Sequence, residues 1–198
     1  MKRVLSIQDI SCIGKCSLTV ALPIISAMGI ETSILPTSIL STHTMFNDFT
    51  FRDLTDDMEP IKKHWQKEGF SFDAIYTGYL GSEKQITLVK DYFKTFGNTC
   101  KYIIVDPAMA DNGKLYSGFD KDFPLKMAKL CKYADAILPN ISEAAFMTGM
   151  PYPGENASNE CIKGLLLSLA KLGSKKIVIT GVESADHKFG FMGYDSET

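Results

Sequence analysis

Three acidic side chains stand where the chain leaves an apolar run: Asp9 in "VLSIQD", Asp106 in "YIIVDP", and Glu143 three residues past Asn140 in "ILPNISEAAF". Acids and an amide at neighbouring strand ends suit a magnesium ion that keeps most of its waters and meets nucleotide phosphates. Each also has a plainer reading. A strand-end aspartate such as Asp106 often caps the backbone of the next turn, and Asn140 with Glu143 spells a helix N-cap and its acidic partner. On sequence alone both readings stand.

Two further stretches carry polar chemistry. "VITGVES" puts Thr180 and Gly181 at the close of another apolar run, where a glycine lets a backbone N–H approach a phosphate and a hydroxyl can join it. A simple strand-ending turn is the alternative. "SILSTHTMFNDF" surrounds His43 with three hydroxyl residues, Thr44 among them, too polar a setting for a core. At a ligand edge it offers hydrogen bonds to a small polar substrate.

The segment "DISCIGKCSLTV" raises a phosphate-loop question through Gly14-Lys15. A Walker loop needs a glycine five residues before that Gly-Lys pair and a Ser or Thr after it. Here Asp9 and Cys16 occupy those places. A carboxylate in the nest would repel phosphate, so Asp9 and Gly14 require another explanation.

These residues are positioned by an alternation of elements. "RVLSI", "TSILPTSIL", "FDAIYTG", "KYIIVD", "DAILPN" and "KKIVITG" read as strands. Between them lie the helical patterns "SLTVALPIISAMG", buried despite Pro23, "LTDDMEPIKKHWQKEG", "SEKQITLVKDYFKTFG", "DFPLKMAKLCKYA", "SEAAFMTG" and "NECIKGLLLSLAKLG". Apolar strands alternating with amphipathic helices predict an open, mostly parallel α/β sheet covered on both faces. Ligands of such sheets bind beyond the carboxyl ends of the strands, which is where Asp9, His43, Thr44, Tyr79, Asp106, Asn140, Thr180 and Gly181 fall. Residues 39–52 allow either a loop or a small β lid.

Composition narrows the class. With 198 residues, 45% hydrophobic and 22% charged, the chain supports one well-buried domain over 1–198. A net charge of −2 gives no basic field for nucleic acid or anionic lipid, and no apolar run reaches a membrane span. Five scattered cysteines without a C-x-x-C pair argue for free thiols in a reducing compartment, hence a cytoplasmic protein.

In this order "SIQD", "LSTHT", "TGYLGS", "VDPAMADNGKLY", "LPNISEAAFMTG" and "VITG" resemble the pyridoxal kinase family of vitamin B6 salvage, within the ribokinase-like superfamily. The resemblance implies transfer of the ATP γ-phosphate to the 5′-hydroxymethyl of pyridoxal, pyridoxamine or pyridoxine. It implies Mg2+ and, in many members, K+ as well. Asp106 and Glu143 then act on the metal and phosphate side, Asn140 lies near the phosphates, and Thr180 with Gly181 lies beside the nucleotide and monovalent ion. His43, Thr44 and Tyr79 match positions around the B6 ring, and Tyr116 matches a residue of the loop covering it. Asp9 faces the pyridine from the first turn, with Gly14 letting the helix start close by. A homodimer is the family's common state.

The chain departs from the resemblance in two places. Many pyridoxal kinases carry Ser where Asp9 stands, and a carboxylate there is expected to pair with a protonated pyridine nitrogen. The family's G-T-G-D motif, with its aspartate base and anion hole, has no counterpart among these 198 residues. The expectation is a domain cut before its catalytic segment, inactive alone and exposing an apolar face, with the base beyond Thr198. The competing readings are a hydroxymethylpyrimidine kinase on the same fold and a non-catalytic protein that binds B6 vitamers or nucleotide.

Overall fold

The computed structural model describes residues 1–154, 157–183 and 188–197. The chain divides into two compact units, Met1–Ile103 and Ile104–Thr198.

In the first unit, β1 (Arg3–Ser11) pairs in parallel with β2 (Glu31–Leu40) on one side and with β4 (Ala74–Thr77) on the other. A short β3 (Phe51–Asp53) runs antiparallel to Ser38–Leu40, giving the order β4-β1-β2-β3. Helices α1 (Leu18–Ala27), α2 (Thr55–Lys67) and α3 (Glu83–Phe96) complete the unit. Leu5, Ile7, Leu35 and Ile75 are fully buried on these strands, each worth about 1.5–3 kcal/mol of transfer free energy. Trp65, Phe72, Tyr92 and Phe96 meet with ring centroids 5.3 to 6.5 Å apart, joining the two surface helices to the chain that precedes β4.

Two sequence expectations change here, and one open alternative is resolved. The strand β1 does not stop at Ile7 but runs through Gln8 and Asp9 to Ser11, and those polar residues are buried rather than solvated. The ladder with β2 shifts at this point: Gln8 pairs with Pro36 and Ile10 with Ile39, so Asp9 alone spans Thr37 and Ser38. Helix α1 is not buried. Leu18 and Ala21 are its buried residues, while Leu22 and Ile24 remain exposed. Of the two possibilities for 39–52, the strand pairing of β3 with β2 is realised, and residues 41–50 form the connecting turn.

Strand β5 (Tyr102–Val105) leads into the second unit, where its Ile104 and Val105 run parallel to β8 (Ala136–Ile137), β8 runs parallel to β9 (Lys176–Glu183), and β10 (Phe189–Asp195) returns antiparallel to β9. The order is β10-β9-β8-β5. Helices α4 (Phe123–Cys131), α5 (Ile141–Thr148) and α6 (Asn159–Lys171) bury Met127, Leu130, Met147, Leu165 and Leu169. The glycine-containing loop after Asp106 is in fact a hairpin, β6 (Ala110–Asp111) and β7 (Lys114–Leu115). Asn112 at φ +49° and Gly113 at φ +69° form its two-residue turn, the geometry for which Asn-Gly is the favoured sequence. On β10, Phe189 and Phe191 are 78% and 74% exposed. No helix among the described residues is long and apolar enough to cross a membrane.

Candidate functional site

Functional side chains gather in two places, one in each unit. In the first unit the gathering point is the turn between β1 and α1. Gly14, Lys15 and Ser17 all have positive φ, at +130°, +48° and +51°, and an antiparallel bridge from Ile10 to Ser17 closes the loop. Left-handed backbone at non-glycine residues costs energy that surrounding structure must offset, and such strain concentrates at ligand-binding turns.

Asp9 lies at the base of this turn, 4% exposed. Its Oδ2 accepts a hydrogen bond from Ser11 Oγ at 3.2 Å, and the Ser17 side chain stands near the carboxylate. Its Oδ1 is buried and has no hydrogen-bond partner among the described residues. Burial raises the Asp9 carboxyl above its usual range, and the two serine hydroxyls pull in the opposite direction. Tyr79, just after β4, has its hydroxyl pKa raised by burial and by the charges of Asp9 and Asp53, so it remains a hydrogen-bond donor at neutral pH.

His43 sits against Gly14. Its Nδ1 accepts from Met45 N–H at 3.3 Å and its ring packs 4.8 Å from that of Phe46. With Nδ1 used as acceptor, the ring proton belongs on Nε2, which becomes a donor. Thr44 is exposed on the same turn. The first unit thus brings Asp9, Tyr79 and the His43 turn together around one surface loop.

In the second unit, Asn140 caps α5. Its Oδ1 accepts from Glu143 N–H at 2.9 Å, and Glu143 Oε2 accepts from Asn140 N–H at 2.8 Å, so the capping box foreseen as the plain alternative is present. Glu143 does more than cap. Its Oε1 takes the Met109 N–H at 3.1 Å, and Asn140 Nδ2 donates to Ala110 O at 2.7 Å. The pair therefore ties the start of α5 to the segment that follows Asp106.

Glu143 is 2% exposed. Burial and then the charge of Asp106 push its carboxyl well above the usual range, against the backbone N–H groups of Asn140, Met109 and Ala110. The same two acids, added to burial, raise the Cys131 thiol. Asp106 itself is half-buried, directly after β5. No cluster of three or more metal-ligating side chains exists among the described residues. A half-buried carboxylate beside a second one that accepts two backbone N–H groups still fits a magnesium ion held mainly by water and phosphate.

A cleft of about 290 Å³ opens beside this pair, lined among others by Asn112, Asn140, Ser142, Tyr152, Thr180 and Gly181. Three predicted nucleotide residues line it, whereas Asp106 and Glu143 do not. Thr180 N–H donates to Pro139 O at 2.9 Å, holding β9 beside the start of α5. Strand β9 continues past Thr180 to Glu183, contrary to the predicted strand end. Gly181, at φ +68°, is the extra residue of a bulge, since Phe191 pairs with Thr180 and Gly190 with Val182. A left-handed glycine is what that bulge requires.

Sequence reasoning missed Ser142 and Tyr152. Ser142 Oγ accepts the Gly113 N–H at 2.8 Å, and a Cβ on Gly113 would lie 2.5 Å from the Tyr152 ring. The Asn-Gly pair was the available signal. Tyr116, directly after β7, donates its N–H to Met109 O at 2.9 Å.

Residues 31–194 match the phosphomethylpyrimidine kinase family. The chain belongs to that family. A Bacteroides thetaiotaomicron protein assigned to these kinases, and crystallised with pyridoxal, is 40% identical with a TM-score of 0.92, over 99% of this chain and 69% of that one. The pyridoxal kinase of Lactobacillus plantarum is 32% identical with a TM-score of 0.85, over 98% of this chain and 73% of that one. The pyridoxal kinase of Actinobacillus pleuropneumoniae is 27% identical over 188 residues, 90% of this chain and 63% of its own length. The ribokinase-like α/β fold and the pyridoxal kinase kinship expected from the motifs are thereby established. The chain spans 54% and 63% of the lengths of two curated relatives, from Schizosaccharomyces pombe and A. pleuropneumoniae.

Proposed function

We propose that the chain carries the ring-binding and nucleotide-binding parts of an ATP-dependent kinase for the 5′-hydroxymethyl group of pyridoxal, pyridoxamine or pyridoxine. The observation that carries this reading is the turn at Asp9, Gly14 and His43, in a chain 40% identical to a protein crystallised with pyridoxal. Asp9, His43, Thr44 and Tyr79 bind the ring. Asn140, Thr180 and Gly181 hold the nucleotide in the cleft of the second unit.

In this reading Asp106 meets a magnesium ion directly or through water, and Glu143, which accepts the N–H groups of Met109 and Asn140, holds the segment after Asp106 against the start of α5. When bound, magnesium offsets the charge of the transferring phosphoryl group. Potassium belongs beside Thr180. Phosphoryl transfer depends on positioning and on stabilising developing charge, and we assign the base and anion hole to a G-T-G-D segment that these 198 residues do not contain. A cytoplasmic homodimer completes the reading. Hydroxymethylpyrimidine, another flat hydroxymethyl heterocycle, is the second substrate worth testing, because the matching family is described as phosphomethylpyrimidine kinase and a Haemophilus influenzae relative as a hydroxymethylpyrimidine/phosphomethylpyrimidine kinase.

The test is ATP-dependent phosphorylation of pyridoxal, pyridoxamine and hydroxymethylpyrimidine, with products identified by mass, alongside calorimetric binding of each ring and of ATP. Binding of a B6 vitamer and ATP with negligible turnover supports the reading in full. Turnover at an ordinary kinase rate of about 1–100 s⁻¹ would relocate the base to these residues. Preference for hydroxymethylpyrimidine would replace the substrate, and absence of any ring or ATP binding would overturn the proposal.

A further inference from the structure

The run "SEKQ" at the start of α3 spells a capping box, in which the glutamine side chain would return to the N-cap backbone. Half of that box is present, since Ser82 Oγ accepts the Gln85 N–H at 3.2 Å. The Gln85 amide goes elsewhere. Its Oε1 accepts the Gly81 N–H at 2.7 Å, while its Nε2 donates to Thr37 O and to Thr55 Oγ1, both at 2.9 Å. Gln85 is fully buried, with both kinds of amide group engaged.

Three chain segments meet at this amide: the stretch after β4, the end of β2 and the first residue of α2. Thr37, also fully buried, closes the network. Its Oγ1 donates to Tyr79 O at 3.1 Å, and its carbonyl takes the Leu54 N–H at 3.1 Å as well. The Tyr79 carbonyl and the Gly81 N–H are thus both fixed from below. A Cβ on Gly81 would lie 3.5 Å from Tyr79 Cε1 and 3.6 Å from its hydroxyl oxygen, so the phenol rests on the glycine that Gln85 holds. The polarity of the amide is dictated, because Thr37 O can only accept and Gly81 N–H can only donate. The bodies of α2 and α3 are joined without it, through Trp65, Tyr92 and Phe96 and the Tyr92 hydroxyl on Met58 O at 2.6 Å.

We infer that Gln85, acting with Thr37, is a positioning residue for ring binding: it sets the 78–81 segment so that the Tyr79 side chain is in place before substrate arrives. Its effect is preorganisation, with no contact of its own to the ligand. This deepens the proposed function and rests on its reading of Tyr79 as a ring-binding residue.

The test is calorimetric titration of the native chain and of Gln85→Met with pyridoxine, which has no aldehyde to react with lysines, and separately with ATP. The methionine keeps the side chain's length and removes its hydrogen bonds. Pyridoxine affinity is expected to fall about tenfold or more, since the lost ordering must then be made up on binding, while ATP affinity, assigned to the second unit, stays at the native value. Tyr92→Phe, which deletes the buried bond to Met58 O, is the control for lost stability and should leave both affinities unchanged. Added to Tyr79→Ala, Gln85→Met should cost little more pyridoxine affinity, because its effect runs through that side chain. Native pyridoxine affinity in a folded Gln85→Met, an equal loss of ATP affinity, an equal loss in Tyr92→Phe, or full additivity with Tyr79→Ala overturns the inference and leaves the kinase reading intact. Should Gln85→Met not fold, Thr37→Val, which removes the bond to Tyr79 O, takes its place with the same outcomes. A native chain that binds neither pyridoxine nor hydroxymethylpyrimidine overturns the ring-binding reading, and the inference with it.

Discussion

The imidazole of His43 lies so close to Gly14 that a Cβ at residue 14 would sit 2.1 Å from the ring's Cδ2. The contact joins the turn after β1 to the 41–50 segment, two stretches that the chain separates by a helix and a strand. It also explains the glycine twice over, because its φ of +130° is one that L side chains rarely adopt.

Gly14→Ala is therefore expected to destabilise the protein by about 2–4 kcal/mol, combining backbone strain with a forced shift of His43. Urea denaturation measures it. The double variant Gly14→Ala/His43→Gly should recover the steric part and leave the backbone part. Equal stability of Gly14→Ala and the native chain would contradict the packing described.

Asp9 ties stability to pH. Its folded pKa is raised by burial above the unfolded value of about 3.9. The stabilising contribution of such a group is complete below the unfolded pKa and is lost as pH rises through the folded pKa. Asp9→Asn should therefore melt higher than the native chain at pH 7.5, with the difference closing towards pH 4. Thermal melts at the two pH values decide the sign. A native chain that gains on the variant as pH rises would show that the serine hydroxyls outweigh burial.

Glu143 should separate two kinds of loss. Glu143→Ala strands the N–H groups of Asn140 and Met109, at a cost of about 2–5 kcal/mol. Glu143→Gln keeps one acceptor and a similar shape, so it should cost less than half as much. Denaturation curves of both variants check the order. A nucleotide affinity that falls in the glutamine variant beyond its stability loss would mark the charge, not the cap, as what the phosphates sense.

The alternation of apolar strands and amphipathic helices was legible because burial on the sheet and exposure on the helices each impose a period. Asn140 and Glu143 were legible too, since a capping box is a local motif whose partners are three residues apart. Asp9 was harder. Its polar neighbours Gln8 and Ser11 read as the end of a strand, yet they are buried in one, at 3% and 2% exposure. Nothing local announces that Ser17 reaches back to Asp9, because that contact depends on the bridge between Ile10 and Ser17. Tyr152 was invisible for the same reason: its ring meets Gly113 across a long stretch of intervening chain. The bulge at Gly181 carried a signal, a glycine inside an apolar run, that a strand-ending turn explained equally well.

Strand β10 ends the order of its sheet and, among the described residues, is paired along one side, to β9. Its Phe189 and Phe191 alternate in phase on one side of the strand and stand in solvent. A row of open backbone groups beside two aromatic rings is a template onto which another extended segment can add. Strand addition at β10 would show as association that rises with chain concentration, read by light scattering.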